Sequence, residues 1–194
     1  HQPPESRRCG ILFSTADIVP SPADENKRRG EKNISIVGGA QDMPNTEPEF
    51  KNVIKVIAIG GGGGNALNHI ISRGIKGVDM LAVNTDLRAL NMSLCSSKIV
   101  IGEKTTKGLG AGAIPEVGER AAQESIADIR EYLEGADMVY LAAGMGGGTG
   151  TGAIPIIAHA AKEMGILTVA VVTKPFSFEG RRRSRYADEG IEKL

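Results

Sequence analysis

Residues Met138 to Met164 read Met-Val-Tyr-Leu-Ala-Ala-Gly-Met-Gly-Gly-Gly-Thr-Gly-Thr-Gly-Ala-Ile-Pro-Ile-Ile-Ala-His-Ala-Ala-Lys-Glu-Met. An apolar, strand-like segment (Met138 to Ala143) leads to a run of five glycines and two threonines (Gly146 to Gly152), then to a helix-like segment (Ile154 to Met164). Glycine and threonine carry almost no apolar surface, so the run is read as ligand-facing rather than as core. Its backbone lets a ligand come close, with N–H groups and hydroxyls directed at it. At a strand-to-helix turn it also offers phosphates the free donors and positive dipole end of a helix. A flexible linker does not fit between two well-patterned apolar elements.

Working outward, the same alternation recurs. Val53 to Ile59 is a β-branched run suited to a strand buried on both faces. A loop, Gly60 to Gly64, follows, then a helix near Ala66 to Ser72 with Gly74 as its C-terminal stop. Met80 to Val83 reads as a strand, Leu87 to Met92 as a short helix and Lys98 to Ile101 as a third strand. Beyond the glycine-rich loop Gly108 to Gly112, Pro115 opens one long amphipathic helix that runs to about Leu133, with Gly135 ending it. Leu167 to Thr173 is a further strand, and Gly180 to Leu194 is helical with a basic start. This pattern predicts an α/β fold, a Rossmann-like, mostly parallel sheet with helices on both faces. Ligands of such folds bind beyond the carboxyl ends of the strands, so the three glycine clusters are expected to converge there.

Residues 1–51 differ. They hold six of the nine prolines, mixed charges and only short apolar patches such as Gly10 to Phe13 and Ile34 to Val37. They read as a disordered N-terminal arm. The chain opens on His1 and closes at Leu194 within a helical pattern, so a fragment of a longer protein is expected.

Hydrophobic residues make up 41%, enough for a core, and aromatics only 4% with no Trp, which points to an aliphatic interior. Lys plus Arg and Asp plus Glu balance at 23 each, giving no reason to expect nucleic acid or a membrane surface as partner. Cys9 and Cys95 match no metal or redox spacing and fit incidental thiols in a reduced, cytoplasmic protein. No stretch approaches the ~18 apolar residues of a spanning helix, and no signal-peptide layout opens the chain.

Gly61-x-Gly63-x-x-Ala66 matches a dinucleotide fingerprint, and Asp86 lies about 20 residues on, where a ribose-binding acid would stand. An NAD-binding oxidoreductase domain is therefore an alternative, although it needs only one phosphate loop. A Walker-type loop fails, because no Gly-Lys-Ser or Gly-Lys-Thr occurs. Without that lysine, phosphates are held by backbone donors and helix dipole, and a bound Mg²⁺ is needed to offset the remaining charge.

Gly146-Gly-Gly-Thr-Gly-Thr-Gly152 does not stand alone. Gly60-Gly-Gly-Gly-Gly-Asn-Ala66, Ala82-Val-Asn-Thr-Asp-Leu87, Lys107-Gly-Leu-Gly-Ala-Gly112, Val172-Thr-Lys-Pro-Phe176 and Phe178-Glu-Gly180 accompany it. In this order and spacing, Ile54 to Leu194 resembles the nucleotide-binding domain of the FtsZ family, the bacterial cell-division GTPases related to tubulin. The resemblance implies that residues 52–194 are a GTP-binding domain. It implies that Gly61, Gly62, Gly63, Gly64 and Asn65 line the guanine nucleotide and that Gly148, Thr149 and Gly150 form the centre of the phosphate cradle. Glu179 corresponds to the ribose-binding acid and Arg183 to the basic residue on the sugar-phosphate side. Thr85 and Asp86 resemble a loop near the phosphates and metal, and Gly108 to Gly112 one that senses the γ-phosphate.

From the residues alone, Glu179 and Arg183 also read as an i, i+4 helix-end pair, and Asp86 as a cap. The resemblance further implies GTP or GDP with Mg²⁺ as cofactors and head-to-tail homopolymers that form the division ring at mid-cell. It places the water-positioning acids on the neighbouring subunit, beyond Leu194, with a tail that recruits division-ring proteins. No catalytic residue is therefore expected within these 194 residues.

Overall fold

The computed structural model describes residues 52–194 and one earlier strand, Ile11–Thr15 (β1). Strands and helices then alternate: β2 (Ile54–Ile59), α1 (Gly60–Ser72), β3 (Asp79–Asn84), α2 (Leu87–Asn91), β4 (Ser97–Val100), α3 (Glu103–Thr106), α4 (Pro115–Glu124), α5 (Ile126–Leu133), β5 (Met138–Gly144), α6 (Thr149–Glu163), β6 (Leu167–Thr173) and α7 (Arg181–Glu192). A short 3-10 turn, Ser177–Glu179, precedes α7.

The strands form one sheet in the order β1-β6-β5-β2-β3-β4. β2 to β6 are parallel, as the strand–helix alternation requires. β1 lies antiparallel along β6, Ile11 opposite Thr173. This strand falls on the apolar patch within the stretch read as a disordered arm, so five residues of that stretch belong to the sheet. The rest of residues 1–51 lies outside the described residues.

Both faces are covered. Ile57, Ile59, Leu81, Leu141 and Val139 pack under α4 to α7, and Val56, Ala58 and Ala82 pack under Leu67 of α1 and Leu90 of α2. Alternate residues of β2 thus serve opposite cores, which is why its sequence is continuously apolar. From β2 the chain turns to β3 on one side and later returns through β5 on the other. The carboxyl ends of β2 and β5, where Ile59 stands opposite Ala143, therefore bound the crevice at which strand order reverses.

Three boundaries differ from expectation. Gly60–Gly64 is no loop, because α1 begins at Gly60 directly from β2. The φ of +71° at Gly60 supplies the sharp change of direction that a side chain would resist. The single helix expected from Pro115 to Leu133 is two, broken at Ser125 with φ −107° and ψ 20°. There Ser125 Oγ accepts the Gly102 N–H at 3.0 Å, and Glu124 accepts the backbone N–H groups of Lys104 and Thr105. The Lys104 N–H and the Thr105 hydroxyl hold the Glu124 carboxyl below the ordinary glutamate range. Both side chains serve the start of α3 instead of continuing a helix. Finally, α6 begins at Thr149, inside the glycine run, so Pro155 lies in the helix interior.

Candidate functional site

The turn after β5 is closed by its own threonine: Thr151 Oγ1, almost fully buried, accepts the Gly146 N–H at 2.8 Å. Gly146 has φ +92°, and a Cβ there would stand 2.8 Å from the Arg183 carbonyl and 3.1 Å from Pro175 Cγ. Only glycine lets the turn, the Pro175 loop and the start of α7 meet.

α6 then starts with no side-chain cap on its first N–H groups, and α1 likewise has none and no acid in its first turn. α2 differs, since Asp86 Oδ1 accepts from Arg88 and Ala89 at 2.9 and 3.2 Å. α4, α5 and α7 also lack a side-chain cap, and what sets α1 and α6 apart is that both start at one cleft. Two helices thus bring orphan donors and positive dipole ends to one crevice, left for an anion to satisfy.

Between them lies a cleft of about 470 Å³. It is lined by Gly61 and Gly62 of α1, by Gly147 to Gly150, and by Thr173 to Phe176 with Glu179 and Arg183. Glu179 is fixed twice. Its Oε1 accepts the Phe176 N–H at 2.8 Å, and its Oε2 accepts from Arg183 Nη1 at 2.6 Å. The Phe176 N–H first, then the Arg183 guanidinium, hold the Glu179 carboxyl below the ordinary glutamate range. Glu179 is the one carboxylate lining the cleft among the described residues. Lys174, a cation on the same wall, is paired with Asp188 at 2.5 Å. Phe176 and Phe178 stack at the rim with ring centroids 5.2 Å apart.

Seven of the ten anticipated residues line this cleft: Gly61, Gly62, Gly148, Thr149, Gly150, Glu179 and Arg183. Gly63 does not. It is buried where a Cβ would meet the Ala142 carbonyl and, at 3.1 Å, the Ala58 carbonyl carbon, so its task is to seat α1 on the sheet. Gly64 and Asn65 line a neighbouring cavity of about 200 Å³ shared with Asn68 and Asn84. The Gly108–Gly112 loop approaches through its shoulder, with Ala111 and Ile114 against Gly148. Thr85 reaches the phosphate turn through Thr149, whereas Asp86 is committed to capping α2. Both threonines of the run read as ligand-facing in the sequence, but Thr151 is buried, lies outside this cleft and closes the turn. The wall from Thr173 to Phe176 was visible in the sequence only as part of a resemblance.

Residues 53–194 match the family model described as Tubulin/FtsZ family, GTPase domain. The chain belongs to the tubulin/FtsZ family. Among solved structures, an FtsZ dimer from M. jannaschii aligns with 45% identity and a TM-score of 0.72, over 74% of this chain and 42% of that one. CetZ1 from Haloferax volcanii, a GDP-bound monomer, aligns at 24% identity and TM-score 0.68, over 73% and 47%. CetZ2 of the same organism, a GTPγS-bound protofilament, aligns at 23% and 0.65, over 73% and 45%. The chain therefore spans less than half of these solved chains, and the CetZ likeness bears on the fold alone. The family match removes the NAD alternative for this tubulin/FtsZ domain, and Asp86, its expected ribose acid, uses Oδ1 to cap α2.

Proposed function

We propose that this domain binds a guanine nucleotide, GTP or GDP, in the cleft between α1 and α6. The observation that carries the reading is the pair of uncapped helix N-termini meeting beside the Thr149 hydroxyl and the Glu179–Arg183 pair. The phosphates would take the free N–H groups of the Gly146–Gly152 turn and the two helix starts. Glu179, whose carboxyl is held below the ordinary glutamate range, would accept from ribose hydroxyls, with Arg183 beside it on the sugar-phosphate side. The size of the cleft suits a mononucleotide.

No group of three or more His, Cys, Asp or Glu among the described residues could hold a metal ion. Mg²⁺ would be held by the phosphates with help from hydroxyls such as that of Thr149, and would neutralise phosphate charge in place of the absent lysine.

Hydrolysis needs a positioned water as well as a cradle. Glu179 is the one carboxylate lining the cleft among the described residues, and with ribose as its partner no second carboxylate stands there to orient that water. The parent protein is accordingly read as a GTPase whose site is completed by the next subunit of a head-to-tail filament, of the kind that forms the division ring at mid-cell in the cytoplasm. Further partners, the division-ring proteins, would be recruited through a C-terminal tail, with neither nucleic acid nor membrane insertion involved. The 45% identity to an FtsZ from M. jannaschii solved as a dimer supports self-association.

Competition of GTP, ATP and NAD for the 194-residue chain tests the binding step, using a fluorescent GTP analogue as reporter. GTP is expected to displace the reporter, and ATP and NAD are expected to fail at equal concentration. Displacement by NAD alone would overturn the reading.

A further inference from the structure

Thr85 follows β3 and is fully buried, at 0% exposure. Its Oγ1 lies 2.7 Å from Thr149 Oγ1, and its side chain has no other hydrogen-bond partner among the described residues. A buried hydroxyl that leaves its proton undonated is penalised, and the one acceptor within reach is Thr149. Thr149 lines the cleft and is half-buried. If its oxygen receives the Thr85 proton, its own proton is free for an acceptor in the cleft.

The backbone of Thr85 is fixed as well. Its carbonyl accepts both the Gly110 N–H at 3.1 Å and the Thr106 hydroxyl at 3.3 Å. The donor to Thr149 therefore stands on a rigid point of the fold, outside the phosphate turn it serves.

We propose that Thr85 is a positioning residue: its buried hydroxyl donates to Thr149 and so turns the Thr149 hydroxyl into an outward donor for a phosphate oxygen. The inference rests on the proposed nucleotide site. A threonine at a helix start has more than one rotamer and can turn its hydroxyl back onto the backbone, so the contact with Thr85 removes a competing state.

The test is a double-mutant cycle on the full 194-residue chain, reading affinity for a fluorescent GTP analogue and thermal unfolding side by side. Wild-type binding establishes the site itself; its absence would sink the functional reading together with this inference. Given wild-type binding, Thr85→Val, which keeps the shape and removes the hydroxyl, is expected to weaken affinity roughly tenfold. Thr85→Ser should restore it. Thr85→Ala should lose as much affinity as Thr85→Val while unfolding at a lower temperature, because it also opens a cavity. In a Thr149→Val background, Thr85→Val should have no further effect. The proposal is overturned if Thr85→Val binds as wild type, if Thr85→Ser fails to rescue, if affinity simply follows unfolding temperature, or if the two losses add.

Discussion

Glu179 closes a turn and lines the cleft at once. Its N–H donates to the Phe176 carbonyl at 2.9 Å, while its carboxylate takes the Phe176 N–H in return, so it closes the 3-10 turn before α7. The Phe176 N–H and Arg183 together lower its pKa, so the ionised form is the one the fold favours. A depressed carboxylate pKa adds stability above the pKa of the unfolded chain and loses it as pH falls through the folded value. The turn is therefore expected to loosen only on acidification below the ordinary glutamate range. A carbon-detected NMR titration of the Glu179 carboxyl should place its midpoint below that of a free glutamate. Glu179→Gln keeps the shape, and at this exposed pair it should leave the unfolding temperature nearly unchanged. If the carboxylate holds ribose, nucleotide affinity should fall on the order of tenfold, since hydrogen bonds to charged groups are the strong ones. Calorimetric binding at pH 7 decides it, and an unchanged affinity would remove Glu179 from the site.

At the scale of elements, the glycine run divides into two kinds of residue that the sequence could not separate. Gly147 meets open space, as does Gly61 on α1. Gly148, Gly150 and Gly152 are buried. A Cβ on Gly152 would stand 2.6 Å from the Glu119 N–H nitrogen and 3.0 Å from the Gly118 carbonyl carbon, so this glycine lets α4 and α6 touch backbone to backbone. Gly152→Ala should destabilise the domain by about 1–3 kcal/mol through overpacking. Gly61→Ala should leave stability unchanged or raise it by up to ~1 kcal/mol, the helix-propensity gain. Urea unfolding of the two variants reads the difference, and equal losses would contradict the division.

The order and type of strands were legible because each is an apolar run flanked by turn residues. The start of α1 at Gly60 was not, since glycine has low helix propensity and only the packing against Ala58, Ala142 and Gly144 forces the helix there. The break at Ser125 was equally hidden, because its cause lies in contacts with Gly102, Lys104 and Thr105, around 20 residues away. For the site, the strand-to-helix glycine turn could be read from local residues. That Glu179 and Arg183 line the same cleft as the turn needed the fold, and Asp86 proved to be the helix cap that its local sequence also allowed.

For the whole molecule, several large apolar side chains stand exposed on segments that follow the carboxyl ends of strands. Leu109 is 75% exposed and Phe178 81%, with Leu87, Ile114 and Phe176 also exposed; Met92, Leu94 and Ile75 are exposed elsewhere. Exposed apolar groups near a crevice suit a surface that another molecule covers. On the proposed function, a second subunit seated there would exclude water from the cleft and supply the water-positioning group. If it used a different surface from the one it covers, the contact would be heterologous and, where the rotation does not close, would propagate into an open filament. On the proposed function, a protein as long as the solved relatives and carrying this domain should then turn over GTP at a rate per molecule that rises with concentration around the assembly threshold and vanishes on dilution. Leu109→Glu sharpens the test, as it places a charge on this face outside the residues that line the cleft. In that longer protein it should leave nucleotide affinity at monomer concentrations unchanged and reduce both sedimentable polymer and turnover, on the order of tenfold, as expected when a charge is buried unpaired in an interface. Turnover that persists in full without polymer would mean that the chemistry is complete within one subunit, and the shared-site reading would fall.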